Sequence, residues 1–64
     1  MKFEDLVKTL DPDTQVEIIE TQNRIMERTI FKGRISGLKV YPDYVLKIVP
    51  QRTSREVYLE ICVY

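Results

Sequence analysis

The sequence predicts a small α+β protein in which a short N-terminal helix packs on one face of a four-stranded, mainly antiparallel sheet. Two observations predict this fold. Apolar residues recur at helical spacing within residues 2–10, and they alternate with polar residues in four later segments, most clearly in residues 55–64. Sixty-four residues suffice for a single domain, 1–64, and a chain of this size buries only about 60% of its unfolded surface.

The helix is predicted from one apolar stripe. Phe3, Leu6, Val7 and Leu10 fall at positions i, i+3, i+4 and i+7, which lie on one side of a helix. A helix over residues 2–10 is too short to persist alone in water, so it must pack its stripe against another apolar surface.

Residues 11–14, Asp-Pro-Asp-Thr, predict the end of this helix. Pro12 disfavours helical geometry at Asp11, and Asp and Thr side chains favour turns. Two carboxylates this close also suit acid/base chemistry, but such a turn is far more often a helix stop.

The four predicted strands span residues 15–21, 25–35, 45–49 and 55–64. Short connections between them favour antiparallel neighbours. Alternation predicts an inner, helix-covered face made by Val16, Ile18, Phe31, Ile35, Leu46, Ile48, Val57, Leu59 and Ile61. Thr29 also falls on the inner side of the second strand by this alternation.

The predicted connections are less regular. The polar residues 21–24 have the length of a hairpin turn. Residues 36–44 contain Gly37 and Pro42, and Pro-Asp-Tyr at 42–44 fits one helical turn with Pro at its first position. Residues 50–54 are predicted to turn the chain into the last strand.

Composition excludes several classes of function. A hydrophobic fraction of 44% is too high for a disordered segment, and a single Cys without any His removes intramolecular disulfides and the common zinc motifs. No glycine-rich phosphate loop is present, so the sequence predicts no enzyme, no cofactor and no metal. The charged opening residues and the absence of a long apolar run predict a cytoplasmic protein without a membrane partner.

Charge is balanced overall but unevenly distributed: residues 1–23 carry a net charge of −4 and residues 24–64 a net charge of +4. A basic strand face with tyrosines nearby suits phosphate contacts and base stacking, so nucleic-acid binding is one candidate function. Its candidate contacts are Arg24, Arg28, Lys32, Arg34, Arg52 and Arg55. The competing interpretation pairs three of these bases, Arg28, Lys32 and Arg34, with Glu17, Glu56 and Glu60 across the sheet. A pI of 6.2 also argues against a protein that follows phosphates.

The preferred functional prediction is an interaction surface on the outer face of the sheet. The alternation points more apolar residues away from the helix than a solvated face needs. The candidate interface consists of Ile19, Ile30, Val45, Val49, Tyr58, Cys62 and Tyr64. Singly exposed apolar residues are ordinary, but a contiguous set predicts a homo-oligomer or a protein partner.

Three of these residues also have purely structural interpretations. Cys62 is typical of a small apolar packing residue, because no further ligand or electropositive neighbourhood marks a reactive thiol. Tyr58 and Tyr64 are more often packing residues than a recognition pair.

The chain resembles small uncharacterised proteins encoded by phages and prophages of Gram-positive bacteria. The resemblance lies in Phe-Glu-Asp-Leu-Val-Lys at 3–8, Leu-Asp-Pro-Asp-Thr at 10–14, Val-Glu-Ile at 16–18 and Phe-Lys-Gly-Arg-Ile-Ser at 31–36. It implies an accessory protein of a mobile element that acts as an inhibitor or adaptor on a macromolecule. The extra basic residues between Arg24 and Arg34 depart from the pattern and keep the nucleic-acid alternative open.

Overall fold

The computed structural model describes residues 1–22 and 26–63. Within them the chain forms a helix, a 3-10 turn and four strands in the predicted order. The helix α1 spans Phe3–Val7, the 3-10 turn spans Ile35–Gly37, and the strands are β1 (Gln15–Gln22), β2 (Met26–Arg34), β3 (Val45–Arg52) and β4 (Val57–Val63). The α+β class is therefore confirmed. The predicted hairpin turn at 21–24 is wrong for Thr21 and Gln22, which belong to β1 and pair with Glu27 and Met26, and residues 23–24 lie outside the described residues.

The sheet is mixed, with strand order β2-β1-β4-β3. β1/β2 and β3/β4 are antiparallel pairs, whereas the central strands β1 and β4 run parallel. The prediction of a mainly antiparallel sheet is confirmed by the two outer pairs, and the parallel pair at the centre makes the sheet mixed. Residues 35–44, which we call the crossing segment, carry the chain from one edge of the sheet to the other. Strand β4 therefore returns beside β1 and runs in the same direction.

Helix α1 is shorter than predicted, but its apolar stripe is correct. Phe3 and Leu6 are buried in the core, and Val7 and Leu10 pack against it. After Val7 the backbone bonds join residues three positions apart, from the N–H of Thr9 to the Leu6 carbonyl at 2.9 Å and from the N–H of Leu10 to the Val7 carbonyl at 3.1 Å, so the α-helix does not continue. The Thr9 hydroxyl also donates to the Leu6 carbonyl, at 2.7 Å.

The Asp-Pro-Asp-Thr turn forms as expected. The backbone N–H of Asp13 donates to the Asp11 carboxylate at 2.8 Å, and the N–H of Thr14 donates to the Asp11 carbonyl at 2.9 Å. These bonds give Asp11 a structural part in the turn, in line with the preferred interpretation of this motif.

The N-terminus is held against the segment that precedes β3. The N–H of Phe3 donates to the Asp43 carbonyl at 3.1 Å, and the N–H of Val45 donates to the Met1 carbonyl at 2.9 Å. The predicted helical turn at 42–44 is therefore wrong, because Asp43 forms a bend and Tyr44 forms an isolated antiparallel bridge with Lys2. The centroids of the Tyr41 and Phe3 rings lie 5.5 Å apart, and this contact packs the crossing segment against the helix.

The strand pairing arranges the inner, helix-facing side of the sheet in three rows that run from β2 to β3. The rows are Gly33, Val16, Leu59, Pro50; then Phe31, Ile18, Ile61, Ile48; then Arg28, Glu20, Val63, Val45. The middle strands supply the buried residues of these rows, with Val16, Ile18, Ile61 and Val63 all at most 1% exposed. Helix α1 and the 3-10 turn close the core above the middle strands.

Each edge strand contains a bulge that reverses the predicted alternation. In β2 the register shifts opposite Ile18 and Ile19, so Thr29 pairs with Ile19 on the outer face and Arg28 pairs with Glu20 on the inner face. Both positions are opposite to the sequence prediction. In β3 the shift lies between Val45 and Lys47, and it places Val45 in the inner row instead of on the outer face. An extra residue in one strand changes the side on which every following residue points.

Strand β3 continues through Pro50 to Arg52, beyond its predicted end at Val49. Proline is tolerated here because β3 is an edge strand. The turn to β4 is formed instead by Thr53, whose N–H donates to the Glu56 carbonyl at 2.9 Å and whose hydroxyl accepts the N–H of Glu56 at 3.1 Å.

Candidate interaction surface

The outer face of the sheet is polar at its edges and buried at its centre. Two of its rows are Lys32, Glu17, Glu60, Val49 and Thr29, Ile19, Cys62, Lys47, read from β2 to β3. The edge strands supply a hydrogen bond to each central carboxylate: Thr29 Oγ1 donates to Glu17 at 3.3 Å, and Gln51 Nε2 donates to Glu60 at 2.9 Å. The two carboxylates on the central strands of this face are therefore already hydrogen-bonded.

The structure does not bring the predicted interface together. Ile19 and Cys62 lie on the outer face as expected, but they are only 8% and 3% exposed. Val49 and Tyr58 are half-buried on the same face, while Val45 belongs to the inner side. Ile30 lies at the β2 bulge, and Tyr64 is outside the described residues. A partner docking on the outer face meets polar groups instead of a continuous apolar patch.

The predicted basic stripe is also divided. Arg28 turns to the inner face and forms an ion pair with Glu20 at 3.3 Å, whereas Lys32 lies on the outer face opposite Glu17. Arg34 lies 3.9 Å from the carboxylate of Asp13. The remaining candidates are dispersed: Arg52 ends β3 on the inner side, Arg55 is exposed in the β3–β4 turn, and Arg24 is outside the described residues.

A group of exposed apolar side chains lies on the inner face of the β3–β4 hairpin. We call it the hairpin surface and define it by Ile48, Pro50, Val57 and Leu59, which share this face in the strand register. Val57 is 66% exposed and Ile48 is 36% exposed, while Leu59 is half-buried against the core. Leu46, at the bulge beside them, is 52% exposed.

The hairpin surface is uncovered because the layer that packs on the inner face of the sheet, formed by α1 and the crossing segment, is too small to reach it. The five-residue α1 and the crossing segment place their apolar side chains over the middle strands and over Phe31 and Val45. Leu46, Ile48 and Val57 were predicted to be covered by the helix, and the structure corrects this for all three. The sequence places Ile48 and Val57 on the right face but gives no sign of their exposure, and it assigns Pro50 to a turn.

Two open depressions flank the crossing segment, with volumes of about 450 and 420 Å³. Both are lined by Tyr41, Pro42 and Asp43. Glu20, which lines the second, is already engaged by Arg28. Over the described part of the chain, no three His, Cys, Asp or Glu side chains are grouped to hold a metal ion. Nor does this part contain a helix with the length and apolar character to cross a membrane.

Cys62 is a packing residue in this arrangement. Burial raises the pKa of its thiol, and the positive charge of Lys47, which lies opposite it on β3, offsets this increase only in part. The thiol is therefore protonated near neutral pH, which agrees with its structural interpretation.

Comparison with protein-family models, with curated proteins and with solved structures finds no match to this chain.

Proposed function

We propose that this chain is a non-enzymatic, cytoplasmic binding protein that acts by holding a protein against the hairpin surface. The observation that carries the proposal is that apolar side chains on the inner face of the sheet are exposed to solvent. Val57 is 66% exposed and Ile48 is 36% exposed. Apolar side chains grouped on one strand pair favour a protein contact, since their burial removes them from water.

The rigidity of the hairpin supports this role. The hairpin is held by the β3–β4 pairing, by the hydrogen bonds of Thr53 across its turn and by the packing of Leu59 on the core. A surface that is ordered before binding loses less conformational entropy when its partner docks.

The basic residues give less support to nucleic-acid binding. Arg28 is bonded to Glu20, Arg34 lies beside Asp13, and Lys32 faces Glu17, so each of these cations has a carboxylate nearby. Phosphate tracking requires cations that are aligned along a common surface. We therefore propose that the chain binds a protein and not a nucleic acid.

The resemblance to small proteins of phages and prophages suggests a setting for this activity. In that setting the chain is an accessory protein that works as an inhibitor or adaptor through its bound partner. This biological context is part of the proposal and depends on the sequence resemblance alone.

In-cell photocrosslinking tests the proposal. A photoreactive amino acid is introduced at Ile48, and the control carries it at Val40, which is also apolar and 81% exposed but lies outside the hairpin. We expect covalent protein adducts from position 48 and few from position 40, because only the first lies on the hairpin surface. Mass spectrometry then identifies the adduct.

The proposal fails if position 48 gives no adducts, if both positions give the same adducts at the same yield, or if the adducts contain nucleic acid. An adduct with any protein, including a second copy of the chain, supports it.

A further inference from the structure

We infer that the hairpin surface binds an acidic segment of another protein, in which apolar side chains are flanked by carboxylates. This inference rests on the proposed function and names the chemistry of the partner. Apolar contact holds the segment on the inner face of the hairpin, and the bases at the turn end of the hairpin attract its carboxylates.

The turn end of the hairpin surface is basic. Arg52 is exposed and ends β3 opposite Val57 on the inner side, and Arg55 is exposed in the turn that follows. Residues 45–58 contain three bases and one acid, Glu56, for a net charge of +2. A protein that covers Val57 therefore meets a positively charged margin, which favours negative charge on that protein.

The two arginines at the turn end differ from the two on β2. Arg28 and Arg34 each have a carboxylate oxygen of this chain nearby, at 3.3 and 3.9 Å. Within the described part of the chain, neither Arg52 nor Arg55 forms an ion pair. The guanidinium groups of Arg52 and Arg55 are therefore available to the carboxylates of a partner, which they bind with two parallel hydrogen bonds.

The acids of helix α1 lie at the other end of β3. The N–H of Phe3 donates to the Asp43 carbonyl at 3.1 Å, so the first turn of the helix, with Glu4 and Asp5, lies beside the residues that lead into β3. Strand β3 has eight residues, and its two ends are therefore about 23 Å apart. At this distance the carboxylates of α1 neither neutralise Arg52 nor repel an acidic segment bound beside it.

The bound segment lies on the face of the hairpin and not along its edge. The free edge of β3 contains Pro50, which lacks an N–H donor, and a bulge next to Val45, and both features disfavour the addition of a strand. Ile48 and Val57 are exposed on the inner face instead. Covering them removes water from the contact, which strengthens the attraction between Arg52 and a carboxylate at its margin.

The inner face of the hairpin favours a protein as the source of the negative charge. Arginine binds phosphates as well as carboxylates. In the strand register, however, this face of β3 and β4 carries aliphatic side chains and Arg52, without an aromatic ring for a nucleic-acid base to stack on. The apolar contact and the two bases together fit an apolar segment with acidic flanks.

Mapping the photocrosslink from position 48 tests the inference in cells. The adduct is digested, and tandem mass spectrometry identifies the segment of the partner that carries the crosslink. We expect this segment to contain apolar residues and to have a net negative charge. Arg52→Glu in the crosslinking chain should reduce the yield of the same adduct at least about fivefold, because an attraction becomes a repulsion. Lys39→Glu is the matched control, since Lys39 is also an exposed base but lies in the crossing segment.

Two further variants separate a charge effect from a folding defect. Arg52→Gln removes the charge without reversing it and should reduce the yield by a smaller factor than Arg52→Glu. Replacing a carboxylate of the mapped segment by lysine should restore the adduct with the Arg52→Glu chain. Circular dichroism of the purified variants checks the fold, which both should retain because Arg52 is exposed.

Three results overturn the inference but leave the proposed function standing. They are a mapped segment without acidic residues, an equal yield from the Arg52→Glu and Lys39→Glu chains, and an adduct with a second copy of this chain alone. Adducts with lipid or nucleic acid alone, or no adduct at all, overturn both.

Discussion

Glu20 and Arg28 face each other across β1 and β2 on the inner side of the sheet, with Glu20 Oε1 3.3 Å from Arg28 Nη2. The β2 bulge produces this pair, because in an unbroken alternation Arg28 points to the outer face. The same pair removes Arg28 from the predicted basic stripe. A local irregularity in one edge strand thus decides which surface a charge belongs to.

The ion pair should contribute modestly to stability. Arg28 is 69% exposed and Glu20 is 26% exposed, so solvent screens their attraction. In a double-mutant cycle of Glu20→Gln and Arg28→Gln, measured by urea unfolding, we expect a coupling free energy of about 0.2–1 kcal/mol, the usual range for exposed ion pairs. This coupling should decrease in about 0.5 M NaCl, because salt screens exposed charges. The matched cycle of Glu20→Gln with Lys39→Gln should give no coupling. A coupling that persists in high salt contradicts this account.

Gly33 and Gly37 provide a matched test of backbone conformation. A Cβ at either position meets the Cζ atom of Phe31 at ordinary contact distance, 3.7 Å for Gly33 and 3.6 Å for Gly37. Only Gly33 has a positive φ, +148°. We expect Gly33→Ala to lower the free energy of unfolding by about 1–3 kcal/mol, and Gly37→Ala to change it by less than about 0.5 kcal/mol.

Thermal or urea unfolding of the two alanine variants measures this difference. Equal losses at both positions show that contact with Phe31, and not the φ of Gly33, determines the cost. The interpretation of Gly33 as a conformational requirement is then wrong.

Cys62 should make the free energy of unfolding depend on pH in the alkaline range. Burial raises the pKa of its thiol in the folded protein, so the folded state binds the proton more tightly than the unfolded state. This contribution is fully present below the unfolded pKa, about 8.5, and is lost as pH rises through the higher folded pKa. Cys62→Ala, which has no thiol to ionise, should lose less stability over that range.

Urea unfolding from pH 7 to pH 10 measures the difference between the two proteins, since other titrating groups are common to both. In the folded wild type, we also expect a thiol reagent to modify Cys62 much more slowly than in urea. Rapid modification without denaturant, or identical pH profiles, contradicts the burial of this thiol.

The periodicity of the sequence determined the elements and most of their faces. Phe3 and Leu6 share a stripe because helical spacing is a local property, and Val57, Leu59, Ile61 and Val63 share a face because a strand alternates strictly. The Asp-Pro-Asp-Thr turn was likewise readable, since its bonds join residues two and three positions apart.

Only the tertiary structure decided the register at the edges, the parallel centre of the sheet and the extent of the core. The bulges near Ile30 and Leu46 have no local signature, and they moved Arg28 and Val45 to the inner face. The candidate site follows from a comparison of sizes: a five-residue helix covers the middle strands and leaves Val57 exposed. Alternation tells which way a side chain points, but burial depends on what other elements can reach it, and that is a property of the assembled fold.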